Sequence, residues 1–119
     1  MPRQEPFEPF YRVDSHEANS MLESDPDGCV VVDVRRDDEW VTGHVAGALH
    51  ILIDELDDRI DEVPTDKKIL FICAAGVRSA LACEVAVGRG YEPENLFNIE
   101  DGTPYWIDGG YATSYGDDP

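Results

Sequence analysis

Two segments, Cys29–Val34 and Lys68–Cys73, are almost uninterrupted runs of β-branched and other apolar residues, and they constrain the fold more than anything else in the chain. A strand that is apolar at successive positions must be covered on both faces, which is the situation in a parallel sheet wrapped by helices. Asn95–Ile99 reads as a further strand and Ala48–Ile51 as a shorter one. The segments between them carry helical signals. Asp14, with Glu17 three positions on, forms a capping-box pattern before a helix whose apolar face is Ala18, Met21 and Leu22. Asp37, Asp38 and Glu39 open a short helix containing Trp40, where their charges suit the helix dipole, and Gly43 ends it. Ile53, Leu56, Ile60 and Val63 predict a helical stripe over residues 53–63, and Ser79–Gly88 predicts a helix with a broad apolar face. Asp25-Pro-Asp-Gly28 and Pro64-Thr-Asp-Lys67 are turns between elements. Strands alternating with helices give an α/β fold, with an open, mostly parallel central sheet and helices on both faces.

At 119 residues the chain can build one hydrophobic core. Residues 1–12 read as an N-terminal arm, the first nine carrying Pro2, Pro6 and Pro9 without periodicity; residues 13–112 form the domain and 113–119 a tail. There are no internal repeats. No segment is apolar and long enough to span a membrane, and Met1–Phe7 lacks the apolar stretch of a signal peptide, so the cytoplasm is the expected location. With 26 acidic residues against 9 basic ones the formal charge is −17, which argues against nucleic acid and anionic membranes as partners. Such a surface is either simply well solvated or suited to a high-salt cytoplasm, where the Debye length falls to about 3 Å at 1 M. Cys29, Cys73 and Cys83 are odd in number and show no Cys-x-x-Cys spacing, against both a disulfide framework and a zinc ribbon.

The stretch Cys73-Ala74-Ala75-Gly76-Val77-Arg78-Ser79 carries the chemistry. A strand that ends in a cysteine and turns through small residues into a helix aims backbone N–H groups and the positive end of the helix dipole at the sulfur. In such a setting a thiol pKa drops from about 8.5 to roughly 3.5–7.5, which makes Cys73 a nucleophile rather than a packed core residue. Gly76 permits a positive φ or a close backbone approach, Ala74 and Ala75 leave room, and Arg78 sets a cation at the rim. Arg78 either holds an anionic substrate group or pairs with one of the many carboxylates and fixes the loop. Cys83 lies about 15 Å of helix rise along the chain from Cys73, too far for a resolving thiol, and reads with Cys29 as core packing.

In order along the chain stand Val30-Val-Val-Asp33-Val-Arg35, Asp38-Glu39-Trp40, Gly43-His44-Val-Ala-Gly47-Ala48, the Cys73–Ser79 loop, and Asn98-Ile-Glu-Asp-Gly102 followed by Trp106. Together they make residues 13–111 resemble the single-domain rhodanese-like sulfurtransferases. The resemblance implies that Cys73 takes a sulfane sulfur from thiosulfate or a persulfide donor as a persulfide and passes it to a thiol, cyanide or protein acceptor. Residues 74–79 would form the substrate loop, with neither a metal nor an organic cofactor. Asp33 and Arg35 match the family's Asp-x-Arg and are expected to support the loop. His44 falls in a stretch that is a structural turn in relatives, so neither it nor His50 is expected to act as a base or a metal ligand. Relatives that use thiosulfate well often carry basic residues within the loop, whereas Ala74, Ala75 and Val77 are neutral. Phosphatases and arsenate reductases of the same fold have Cys-x5-Arg, one residue longer than Cys73-x4-Arg78. A non-catalytic binding, regulatory or sulfur-carrier module is the remaining alternative.

Overall fold

A computed structural model describes residues 2–119. Its central sheet is built from five strands, β1 (Tyr11–Val13), β2 (Cys29–Asp33), β4 (Leu49–His50), β5 (Lys68–Ile72) and β6 (Leu96–Ile99), in the order β1-β6-β5-β2-β4 with every pairing parallel. Two further strands, β3 (His44–Val45) and β7 (Thr113–Ser114), form a small antiparallel ladder. The four α-helices are α1 (Ser15–Ser24), α2 (Asp37–Trp40), α3 (Val77–Gly88) and α4 (Thr103–Asp108).

Side chains alternate across each strand, so the apolar runs feed both faces of the sheet. Val32, Ile69, Phe71 and Leu96 pack with Ala82, Cys83 and Ala86 of α3, and with Leu56 and Ile60. Val31, Leu70, Ile72 and Phe97 pack on the other face with Ala18 of α1, Val45 and Trp106 of α4. The open, mostly parallel sheet with helices on both faces is therefore the fold. The register aligns Asp33 with Ile72 and Ile72 with Ile99, so β2, β5 and β6 end level and their exits meet at one edge. In parallel α/β sheets, that carboxyl edge is where ligands bind.

The capping box forms as the sequence predicts: Glu17 N–H donates to Asp14 Oδ1 (2.8 Å) and Asp14 N–H to Glu17 Oε1 (3.0 Å). Other elements differ. Residues 53–63 are two 3₁₀ turns, Ile53–Glu55 and Ile60–Glu62, rather than one helix. Leu56, Ile60 and Val63 are buried as the stripe requires. A continuous helix would set Asp54 against Asp57 and Asp58, Asp57 against Asp61, and Asp58 against Glu62 at repulsive i,i+3 and i,i+4 spacings. Aspartate is also a poor helix former. α3 begins at Val77, two residues before the expected Ser79, and Asn95 belongs to a 3₁₀ turn ahead of β6. Residues 11 and 12, assigned to the arm, lie in edge strand β1, whose Arg12 also bridges antiparallel to Arg3. Among the described residues no helix is long and apolar enough to cross a membrane.

Candidate active site

β5 delivers Cys73 to the carboxyl edge, where its side chain is 1% exposed. Two glycines hold the loop that follows against the β6–α4 connection. Gly76 has φ +90°, and a Cβ there would lie 2.5 Å from the Glu100 carbonyl; Gly102 has φ +83°, and a Cβ there would lie 2.1 Å from the Ala74 carbonyl. Neither position accepts another side chain without moving backbone. Thr103 closes the connection, its N–H and Oγ1 both donating to the Cys73 carbonyl (3.0 and 3.2 Å).

The loop curls its amides around the sulfur. Gly76 N–H and Ser79 N–H donate to Cys73 Sγ at 3.1 and 3.3 Å, and Ser79 Oγ stands 3.2 Å away. Burial by itself pushes this thiol up, but the hydrogen bonds from Ser79 and from the amides of Ala75 and Gly76 outweigh it and bring the thiol below its usual range. The other two thiols go the opposite way: burial raises Cys29 and carries Cys83 well above the ordinary thiol. Of the three cysteines, Cys73 is thus the one set up as a thiolate.

Asn98, on β6, braces this arrangement. Its Nδ2 donates to the Gly76 carbonyl (3.1 Å), which turns its Oδ1 toward Ser79 Oγ–H (2.6 Å). Ser79 has one hydroxyl proton to give. While that proton goes to Asn98, the Ser79–Cys73 contact is made by the thiol S–H; once the thiol ionises, the hydroxyl can turn to the sulfur.

Arg78 meets a carboxylate. Its Nη1 and Nη2 donate to Glu39 Oε1 and Oε2 at 2.7 and 2.9 Å, a two-pronged pair joining α3 to α2. Hydrogen bonding from Arg78 is the main reason the Glu39 carboxyl falls to about 2. Of the two roles the sequence leaves open for Arg78, this structure presents the pairing. Asp33 and Arg35 form a buried pair of their own, Nε to Oδ1 at 3.0 Å and Nη2 to Oδ2 at 2.9 Å, and Arg35 Nη2 also donates to the Gly43 carbonyl (2.8 Å). They tie the exit of β2 to the turn after α2 without bonding to the sulfur. Ala74 and Ala75 line the loop, and Val77 is 79% exposed at its outer edge.

The histidines serve the frame. His44 stacks on Trp40 (ring centroids 3.4 Å apart), and its ring nitrogens meet the Trp40 and Asp118 carbonyls. His50 stacks on Trp40 as well (4.5 Å) and bonds the Arg35 carbonyl. Among the described residues no group of three or more His, Cys, Asp or Glu side chains could hold a metal ion. Two depressions flank the loop. One, of about 330 Å³, is lined by Arg12, Ala75, Gly76, Val77, Asn98 and Glu100; the other, of about 380 Å³, by Val34, Arg36, Leu52, Ile53, Arg78 and Leu81.

The sequence reading names Cys73 and the loop that the structure wraps around its sulfur. It misses Glu39 as the partner of Arg78, Asn98 as the brace of Ser79, and Gly102 and Thr103 as the lock on the loop. The signal for them is slight: an acid on a short helix, and a polar residue inside an otherwise apolar strand.

Comparison with known proteins bears on the whole domain. Residues 14–109 match the family model described as the rhodanese-like domain. The chain is 32% identical over 80 residues to a thiosulfate sulfurtransferase of Pseudomonas entomophila, covering 67% of this chain and 72% of that protein. It is 30% identical over 76 residues to a putative sulfurtransferase of Bacillus subtilis, covering 64% and 71%. Among solved structures, a rhodanese-related protein from Thermoplasma volcanium superposes with a TM-score of 0.69 at 33% identity, over 81% of this chain and 93% of that one.

Proposed function

The chain belongs to the rhodanese-like domain family, and on that premise we propose that it is a sulfurtransferase that carries sulfur as a persulfide on Cys73. The Cys73 thiolate attacks the outer sulfur of a donor R–S–S⁻. The new bond is Sγ–S, the donor's S–S bond breaks, and its electron pair leaves with the carrier as RS⁻. With thiosulfate the leaving group is sulfite. An acceptor nucleophile, a thiol or cyanide, then takes the outer sulfur and returns Cys73 to the thiolate.

The observation that carries the reading is the pair of backbone donors held on Cys73 Sγ, the Gly76 and Ser79 amides, with the Ser79 hydroxyl 3.2 Å away. Donors fixed in advance stabilise charge on a sulfur as they do on an oxyanion, without reorganising at the moment of reaction. The neighbouring Ala74 and Ala75 carry the smallest side chains, which keeps the crowding of an added sulfur low. The test is the intact mass after incubation with a sulfane sulfur donor. The protein should gain one sulfur atom that cyanide or dithiothreitol removes, and Cys73→Ser should gain none. Retention of the added sulfur by Cys73→Ser would overturn the assignment.

A further inference from the structure

Arg78 is the one cationic side chain in the Cys73–Ser79 loop, and both of its terminal nitrogens are engaged by Glu39. The other cations bordering the two depressions are similarly occupied. Arg12 gives Nε and Nη2 to the two oxygens of Glu8 (2.8 Å each) and sets Nη1 3.7 Å from Glu100. Arg36 gives Nε to Asp38 (3.1 Å) and sets Nη1 3.7 Å from Glu39. An oxidised donor such as thiosulfate presents a sulfonate, whose natural grip is a guanidinium fork. Here the fork already holds a carboxylate, and a sulfonate that displaced it would leave a dianion beside Glu39 in a molecule of formal charge −17. A thiol persulfide brings no sulfonate and so needs no guanidinium fork; the sulfur it transfers ends on Cys73, beside the Gly76 and Ser79 amides.

Resting on the proposed Cys73 chemistry, we infer that Glu39 sets the donor class by occupying Arg78, so that Cys73 takes its sulfur from thiol persulfides in preference to thiosulfate. Glu39 is a specificity-determining residue that acts through Arg78. The balance of the step is Cys73–S⁻ plus R–S–S⁻ giving Cys73–S–S⁻ plus RS⁻, with no external oxidant or reductant.

The experiment follows single-turnover loading of Cys73 by intact mass, with thiosulfate and with cysteine persulfide as donors, in the wild type and in Glu39→Gln. The substituted amide keeps the size of the side chain and one acceptor oxygen but releases the second guanidinium nitrogen and removes the charge. The expected result is a second-order loading rate constant for thiosulfate raised about tenfold with that for the persulfide changed less than twofold; an unchanged ratio between donors overturns the inference. Should Glu39→Gln fail to fold, Glu39→Ala is read in the same way: a gain confined to thiosulfate supports the inference, and an unchanged ratio between donors overturns it. If neither donor loads wild-type Cys73, the sulfurtransferase reading itself is overturned, so the two failures are distinct.

Discussion

At the scale of single residues the site is a contest over one sulfur atom. Burial opposes a charge on Cys73, and amides supplied by the turn into α3 overcome it. Removing one donor should therefore be visible in the titration. Ser79→Ala deletes the hydroxyl that approaches Sγ at 3.2 Å but keeps the backbone amide at that position, and it leaves the buried Asn98 Oδ1 without its donor. We expect the pH midpoint of iodoacetamide labelling at Cys73 to rise, because the thiolate loses a hydrogen-bond donor. The orphaned Asn98 oxygen should cost ~1–3 kcal/mol of stability, read from denaturant unfolding. An unmoved labelling midpoint would show that the amides alone fix the thiol. In the folded protein Cys29 and Cys83 should stay unlabelled at neutral pH, because burial raises both thiols.

Between elements, the link that matters is the Glu39–Arg78 pair, which spans α2 and α3 across 39 residues of sequence. Its pH dependence has a definite sign. The Glu39 carboxyl is held at about 2 in the folded protein, below the value near 4.3 of an unstructured glutamate, so its contribution to stability is complete above about pH 5 and is lost as pH falls toward 2. Melting followed across that window should decline less steeply for Glu39→Gln than for the wild type. Equal slopes would mean that the pair is too well solvated to contribute. The 53–63 segment teaches a complementary lesson. Its apolar spacing is helical and correctly marks Leu56, Ile60 and Val63 as buried, yet the backbone forms two 3₁₀ turns, and the like charges at helical spacing outnumber the two pairs that Arg59 makes with Glu55 and Glu62. Periodicity reports which residues face the core. It does not report which backbone conformation brings them there.

Across the whole molecule, the excess of acidic residues dominates the electrostatics. Arg3, Arg12, Arg35, Arg36, Arg59, Arg78 and Arg89 each pair with at least one carboxylate. With 26 acids against 9 bases, the acids still outnumber the cations by 17. Monovalent salt should therefore raise the melting temperature, with most of the gain complete before molar salt, since the Debye length is already about 10 Å at 0.1 M and about 3 Å at 1 M. A melting temperature that is flat from low salt upward would mean that the carboxylates are dispersed enough for their repulsion to be small already.

The sequence alone determined the parts of this protein whose signals are local. Continuous apolar runs marked β2 and β5 as strands buried on both sides, Asp14 and Glu17 marked the start of α1, and the Cys73–Ser79 stretch marked a strand-to-helix turn whose amides converge on a thiol. Each follows from residues within a few positions of one another. Tertiary structure decided whatever depended on residues far apart in the chain. Tyr11–Val13 became a strand only because β6 offered it a free edge, and of two adjacent aromatic residues Trp106 is buried while Tyr105 faces outward at 64% exposure. The same holds for the choice of Glu39 as the partner of Arg78 from among 26 acids, and for the reach of Asn98 back to Gly76. A contact between distant residues depends on how the whole sheet and its helices close around them, and a sequence read in short windows contains no record of that closure.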